Sequence, residues 1–252
     1  MITLAAAVPF VRPTDCAYNV SRLVALARKA SEAGTDVTLF PLLCISGATC
    51  GDLAAMPTLL NEAERQLNIF LEQTASLAGT FVVSLPCRDV TDGSSTFSGV
   101  TPLTVAVSGG NVIARTLGNT PLKLYDDVVL QPAATPDVAG HYVRLRRALI
   151  ARSETEHKAI IYCNCGFGES TTDHVLAAAP SSSAKDNCSA RPNGSRLTNS
   201  SSQPPLTYRP LPSRLSRTQT SLTLLSLFRR WTLPLSQHKP YPPPPSCRTT
   251  NR

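Results

Sequence analysis

The sequence predicts an α/β layered fold over residues 1–173, and three observations predict it. Short runs rich in Val, Ile and Leu alternate with longer stretches in which apolar residues recur every three to four positions. The first pattern marks buried strands and the second marks helices lying against a sheet. The charge balance also changes sharply near Asp173. Residues 1–173 carry 13 Lys+Arg against 16 Asp+Glu, whereas residues 174–252 carry 11 basic residues and a single acid, Asp186. The net charge of +7 is thus a property of the tail and describes nothing about the folded part.

The elements follow in order. Residues 2–9 form an apolar run ended by Pro9 and read as a buried strand. Residues 19–33 read as an amphipathic helix with Val20, Leu23, Val24, Ala27 and Ala30 on one face and Gly34 as its C-terminal stop. Residues 36–40 then read as a second strand, which makes a β-α-β unit with parallel strands. Residues 58–78 repeat the helical period and residues 80–85 form the next strand. Residues 102–108 and 111–116 flank Gly109-Gly110, a hairpin signal. A short strand over 127–131, an Arg- and Leu-rich helix over 142–156 and a strand over 159–163 complete the pattern.

From Val175 onward this grammar stops. The segment holds 12 prolines, many serines and almost no acids, and residues 174–252 read as a disordered tail ending in the run Pro242–Pro245. Arg209-Pro210-Leu211-Pro212 has the form of a proline-rich ligand, and Asn193 and Asn199 stand in glycosylation-acceptor triplets. The aromatic residues Tyr208, Phe228, Trp231 and Tyr241 are too few to predict selective nucleic-acid binding. The start, Met1–Phe10, lacks a basic n-region, and Leu222–Phe228 is far short of the roughly 20 residues of a membrane span. A cytoplasmic location without membrane contact is the expectation. The eight cysteines show neither a disulfide scaffold nor a zinc pattern, since Cys163 and Cys165 have no second pair and no histidine cluster. No metal and no cofactor are expected.

Phe40-Pro41-Leu42-Leu43-Cys44-Ile45-Ser46-Gly47-Ala48-Thr49-Cys50-Gly51-Asp52-Leu53 resembles a signature of the nitrilase, or carbon–nitrogen hydrolase, superfamily. It is closest to the form in glutamine-dependent NAD synthetases, F-P-E-L-x-L-T-G-Y-x-C-G-D-L. Two later stretches agree in the same order. Tyr142-Val143-Arg144-Leu145-Arg146-Arg147-Ala148-Leu149-Ile150 is similar to that family's Y-R-R-x-L-V helix, and Gly166-Phe167-Gly168-Glu169-Ser170-Thr171-Thr172-Asp173 to its G-x-G-E-S-T-T-D. The resemblance implies an αββα sandwich with a Glu-Lys-Cys triad that hydrolyses glutamine and supplies ammonia. In such a triad Cys attacks the amide and forms a thioester, Glu moves the protons and Lys stabilises the oxyanion.

The implied triad is missing as written. The base position is Leu42, which cannot accept a proton. Aligning Leu122 and Tyr125 puts Asn119 at the lysine position, with Lys123 nearby as a surface residue. No segment resembles the nucleophile's V-E-I-C-E-D-L-W. The chain passes from Tyr125-Asp126 directly to Asp127-Val128-Val129-Leu130-Gln131-Pro132, which predicts an internal deletion near 126–127. Thr135 and His141 fall at positions of a glutamine-contacting Ser and Lys, and Tyr125 alone keeps the family's identity among substrate contacts. Cys44, Cys163 and Cys165 read as inert buried thiols, with His141 and His157 the nearest histidines in sequence.

The sandwich is therefore expected to be incomplete. Codons exist for Pro180–Ser195 in which a shifted frame reads V-F-I-C-E-R-Q-L-L-C-E-T-E-R-F, similar to the family's continuation after G-E-S-T-T-D; a frameshift between Asp173 and Pro180 is one account of the tail. Ser108-Gly109-Gly110 continues as Asn111-Val112, not as the S-G-G-x-D-S loop of an ATP-using synthetase half, so NAD synthesis by this chain is not expected. The resemblance implies glutamine as the ligand, and a homo-oligomer if the chain folds. The alternatives are a noncatalytic pseudoenzyme or interaction protein, and a non-functional gene fragment.

Overall fold

Four layers stack in the order helices, sheet, sheet, helix. The structure, a computed structural model, describes residues 2–88, 99–166, 168–176, 180–183 and 227–233. The first sheet has the order β10-β1-β2-β3-β4-β5: β10 (Leu227–Leu233), β1 (Ile2–Val8), β2 (Val37–Leu39), β3 (Thr80–Arg88), β4 (Val100–Ser108) and β5 (Asn111–Leu117). The second has the order β6-β7-β8-β9: β6 (Leu122–Tyr125), β7 (Val128–Ala133), β8 (Ala159–Asn164) and β9 (Pro180–Ser183).

Helices α1 (Cys16–Glu32) and α2 (Pro57–Thr74) cover the outer face of the first sheet, and α3 (His141–Glu156) covers that of the second. This is the αββα sandwich of the expectation, with four strands in its second sheet against six in its first.

The period-two alternation of strands builds the layers. In β3, Phe81, Val83 and Leu85 face the helices while Val82 faces the second sheet. In β8, Ile161 and Cys163 point inward to the first sheet, and Ile160 and Tyr162 point outward to α3. The seam between the sheets is lined by Ile2, Leu4, Ala6 and Val8 from one side and by Leu122, Val128, Leu130 and Ile161 from the other.

The β-α-β unit has the predicted parallel pairing of β1 with β2. The Gly109-Gly110 hairpin joins antiparallel β4 and β5 with positive φ at both glycines, the conformation a two-residue turn of this kind requires. Helix α1 starts earlier than its apolar period suggests, because Asp15 accepts from the Tyr18 N–H at 3.0 Å and caps it. Helix α2 ends at Thr74, short of residue 78. Gly79 instead opens β3, where a Cβ would lie 2.6 Å from the Thr35 carbonyl oxygen. Strand β6 is an addition: four residues show no period until a partner supplies one.

Two segments of the tail join the sheets. β10 pairs antiparallel with all of β1, Ile2 opposite Leu233 through Val8 opposite Leu227, and β9 pairs antiparallel with β8. An apolar strand with an open edge offers a row of unpaired N–H and C=O groups, which is what these segments cover. Arg209–Pro212, Asn193, Asn199 and Pro242–Pro245 lie outside the described residues.

Candidate active site

Ligands of α/β sheets gather beyond the carboxyl ends of parallel strands. β1, β2 and β3 are mutually parallel neighbours in one sheet, and β7 and β8 in the other. The chain leaving β2 reaches Leu42, the chain leaving β7 reaches Thr135, and the chain leaving β8 reaches Cys165. Two of these meet directly. The Leu42 N–H donates to the Ala133 carbonyl at 3.4 Å, and the Cys165 Sγ lies 3.1 Å from the Leu42 carbonyl oxygen and 3.4 Å from that of Ala133. Leu42 is 6% exposed and Cys165 3%. Where the resemblance places a carboxylate, this protein packs an isobutyl group.

Three buried thiols sit within electrostatic reach of one another along this seam. Burial pushes Cys44 up to about 12, with only weak relief from its contacts to the Ser84 backbone. Burial likewise holds Cys163 and Cys165 well above the ordinary thiol range, and the Glu169 carboxylate raises Cys165 further. Among the described residues no cation relieves any of the three, so each stays a thiol.

Glu169 does other work. It accepts from the Ala48 N–H at 2.7 Å, from the Thr49 N–H at 3.1 Å and from the Thr49 hydroxyl. The same hydroxyl accepts from the Ser170 N–H at 2.9 Å. The carboxylate thus clamps the loop after β8 onto the loop after β2. Gly168, at φ +90°, permits the approach: a Cβ there would lie 1.9 Å from the Val11 carbonyl oxygen. Asn19 anchors the other side. It donates to the Arg12 and Ile45 carbonyls and accepts from the Arg12 N–H while fully buried. Its signal in the sequence is an amide on the apolar face of α1.

On the third loop Asn164 holds Thr135 from both directions, accepting from its N–H at 2.7 Å and donating to its carbonyl at 2.8 Å. The Tyr162 hydroxyl reaches the Thr135 hydroxyl at 3.2 Å. His141 opens α3, and its Nε2 is buried with no hydrogen-bond partner among the described residues.

Tyr125 is placed elsewhere. It pairs with Val128 at the start of β7, whereas Leu42 meets Ala133 at its end, roughly 17 Å of extended chain away. Burial raises its phenol, and Asp36, which precedes β2, adds to that shift. Asn119 is exposed in the connection between the sheets. Lys123 is exposed on β6, and its charge acts on Glu156 of α3. Leu42, Asn119 and Tyr125 are therefore not gathered into one pocket. Asp126-Asp127 forms a two-residue turn that closes β6 onto β7. Among the described residues, no group of three or more His, Cys, Asp or Glu could hold a metal ion, and no helix is long and apolar enough to cross a membrane.

Solved structures share this architecture. The glutamine-dependent NAD(+) synthetase of Cytophaga hutchinsonii matches with a TM-score of 0.64 and 16% identity, over 75% of this chain and 40% of that one. The two chains share a fold. The glutamine-dependent NAD+ synthetase of Acinetobacter baumannii matches with a TM-score of 0.60 and 15% identity, over 73% of this chain and 42% of that one. A nitrilase-superfamily amidase from Nesterenkonia AN1, a cysteine-to-alanine mutant, matches with a TM-score of 0.56 and 18% identity, over 73% and 83% respectively. A glutamate-to-leucine mutant of the Nesterenkonia amidase shows covalent addition of the acetamide moiety of fluoroacetamide at its active-site cysteine. The chain thus spans about two fifths of the synthetases it resembles. No protein-family model and no curated protein matches the sequence. At such identities the likeness to the nitrilase superfamily concerns the fold.

Proposed function

We propose that this chain is a catalytically silent, cytoplasmic relative of the ammonia-supplying glutaminase domain of glutamine-dependent NAD synthetases. The observation that carries the reading is the contact between Leu42 and Cys165 at the carboxyl ends of β2 and β8. Amide hydrolysis by a thiol needs a base to take its proton and a cation or N–H donors to hold the oxyanion. Leucine supplies no base, Asn119 carries no charge, and the thiols at the seam are held protonated by burial. The absent nucleophile is decisive. The Asp126-Asp127 turn supports an internal deletion, since it joins β6 to β7 where the resemblance has a nucleophile-bearing strand.

The purified chain, incubated with glutamine, is expected to release ammonia no faster than a protein-free blank. Intact-mass analysis after exposure to fluoroacetamide is expected to show no adduct. Ammonia release above the blank that disappears in the Cys163→Ala/Cys165→Ala variant would overturn the reading. Gene sequence across Tyr125–Asp127 and Asp173–Pro180 tests the deletion and the frameshift: the shifted frame after Asp173 is expected to continue the family pattern.

The noncatalytic interaction protein is favoured over an unfolded gene fragment by the three buried clusters, which fill every layer of the sandwich. A cooperative thermal transition by circular dichroism is expected, and a melt without one sinks this second reading.

A further inference from the structure

The two sheets have four edge positions, and they are defended unequally. β5 carries exposed Arg115 and β6 carries exposed Lys123, the charged residues that discourage edge-to-edge pairing. β1 (ITLAAAV) and β8 (AIIYCN) carry no charge at all. Each is built as an interior strand, and β1 is buried along its whole length. What makes them interior is the tail. β10 covers β1 over seven paired positions and β9 covers β8 over four.

β10 is also the element of the first sheet that arrives from farthest away in sequence, since residues 184–226 separate it from β9. A linker of that length reaches on the order of 100 Å when extended. It can therefore deliver Leu227–Leu233 to the β1 edge of its own chain or to that of a neighbouring copy. The hydrogen bonds of the ladder are the same in both cases, because main-chain pairing supplies the affinity.

We propose that the β1 edge is a strand-acceptor site, and that its partner is the Leu227–Leu233 segment of a second copy of this chain, giving a strand-exchanged dimer. The proposal does not depend on the tail's origin or on the absence of catalysis. Exchange conserves every contact of the closed chain, so the dimer forms by mass action as concentration rises toward the effective concentration of the tethered strand.

The full-length chain is expected to show a dimer fraction that grows with concentration in sedimentation experiments. In an antiparallel ladder alternate N–H groups face the partner, so Arg230→Pro/Trp231→Pro removes one such donor whichever way β10 is phased. A free Leu227–Leu233 peptide carrying both prolines is therefore expected to bind an open β1 edge at least tenfold more weakly than the unsubstituted peptide. A chain ending at Ser226 leaves β1 open, and a labelled Leu227–Leu233 peptide is expected to bind it one to one, at least tenfold more tightly than it binds the full-length chain. Should the shortened chain precipitate, refolding it with excess peptide is expected to recover soluble protein. The proposal is overturned by a full-length chain that stays monomeric to its solubility limit, by peptide binding indifferent to the double proline, or by a shortened chain that neither binds the peptide nor is rescued by it.

Discussion

The two outer layers of the sandwich are built to different standards. On one side α1 and α2 press against the first sheet through twenty buried residues, including the edge-to-face pair Phe70 and Phe81 with ring centroids 6.3 Å apart. On the other side α3 meets the second sheet through five, and contributes only Leu149 and Ser153 as buried residues. The first interface buries a broad apolar stripe per helix, the second a narrow one. The difference teaches where this fold stores its stability: in the N-terminal β-α-β half, with the second sheet held mainly through the inter-sheet seam and the Glu169 clamp.

That contrast can be broken or sharpened by experiment. The largest effect is expected at Phe70→Ala, about 4 kcal/mol in denaturant unfolding, whereas Leu149→Ala is expected to cost about 2 kcal/mol. Equal losses at the two sites would abolish the distinction. Gly168→Ala comes next at about 3 kcal/mol, because its Cβ would strike the Val11 carbonyl and the φ of +90° is strained for alanine. Glu169→Ala is expected to cost about 2 kcal/mol, since it strips the acceptor from two half-buried N–H groups and one hydroxyl. Hydrogen exchange at Ala48 and Thr49 is then expected to accelerate while exchange in α1 stays unchanged; uniform acceleration would mean the halves are not separately stabilised.

A pH slope adds a separate test of the sealed seam. Cys44 is pushed from the ordinary 9.0 up to about 12, and Cys163 and Cys165 are raised in the same direction by burial. Between those values the unfolded chain has released protons that the folded chain retains. The thiols' contribution is thus fully present below pH 9 and is lost as pH rises toward 12, at about 1.4 kcal/mol per thiol per pH unit. Unfolding midpoints measured from pH 7 to 11 should be level at first and then fall, and Cys163→Ala should flatten the fall.

Much of the fold was legible in the residues. Apolar runs and three-to-four spacing locate β1, α1, β2, α2, β3 and the β4–β5 hairpin because these elements bury a continuous stripe. β6 was not legible, since Leu122–Tyr125 becomes a strand only by pairing with β7. The ends of α1 and α2 were set by particular hydrogen bonds, from the Tyr18 N–H to the Asp15 carboxylate and from the Thr74 hydroxyl to the Phe70 carbonyl, which periodicity does not encode.

The sequence alone determined the alternation of strands and helices, the break in composition near Asp173, and the residue types at the candidate site: leucine at 42, asparagine at 119, and no segment like the nucleophile strand. These are local facts, fixed by side-chain chemistry and spacing. Only the tertiary structure decided that Tyr125 and Leu42 lie at opposite ends of β7, that Glu169 clamps residues more than a hundred positions away, and that the thiols at the seam are sealed in. It also decided that strands from the tail close the edges of β1 and β8. Each of these depends on strand direction, sheet membership or burial, which arise from pairing between distant segments and leave no periodic mark in any one of them.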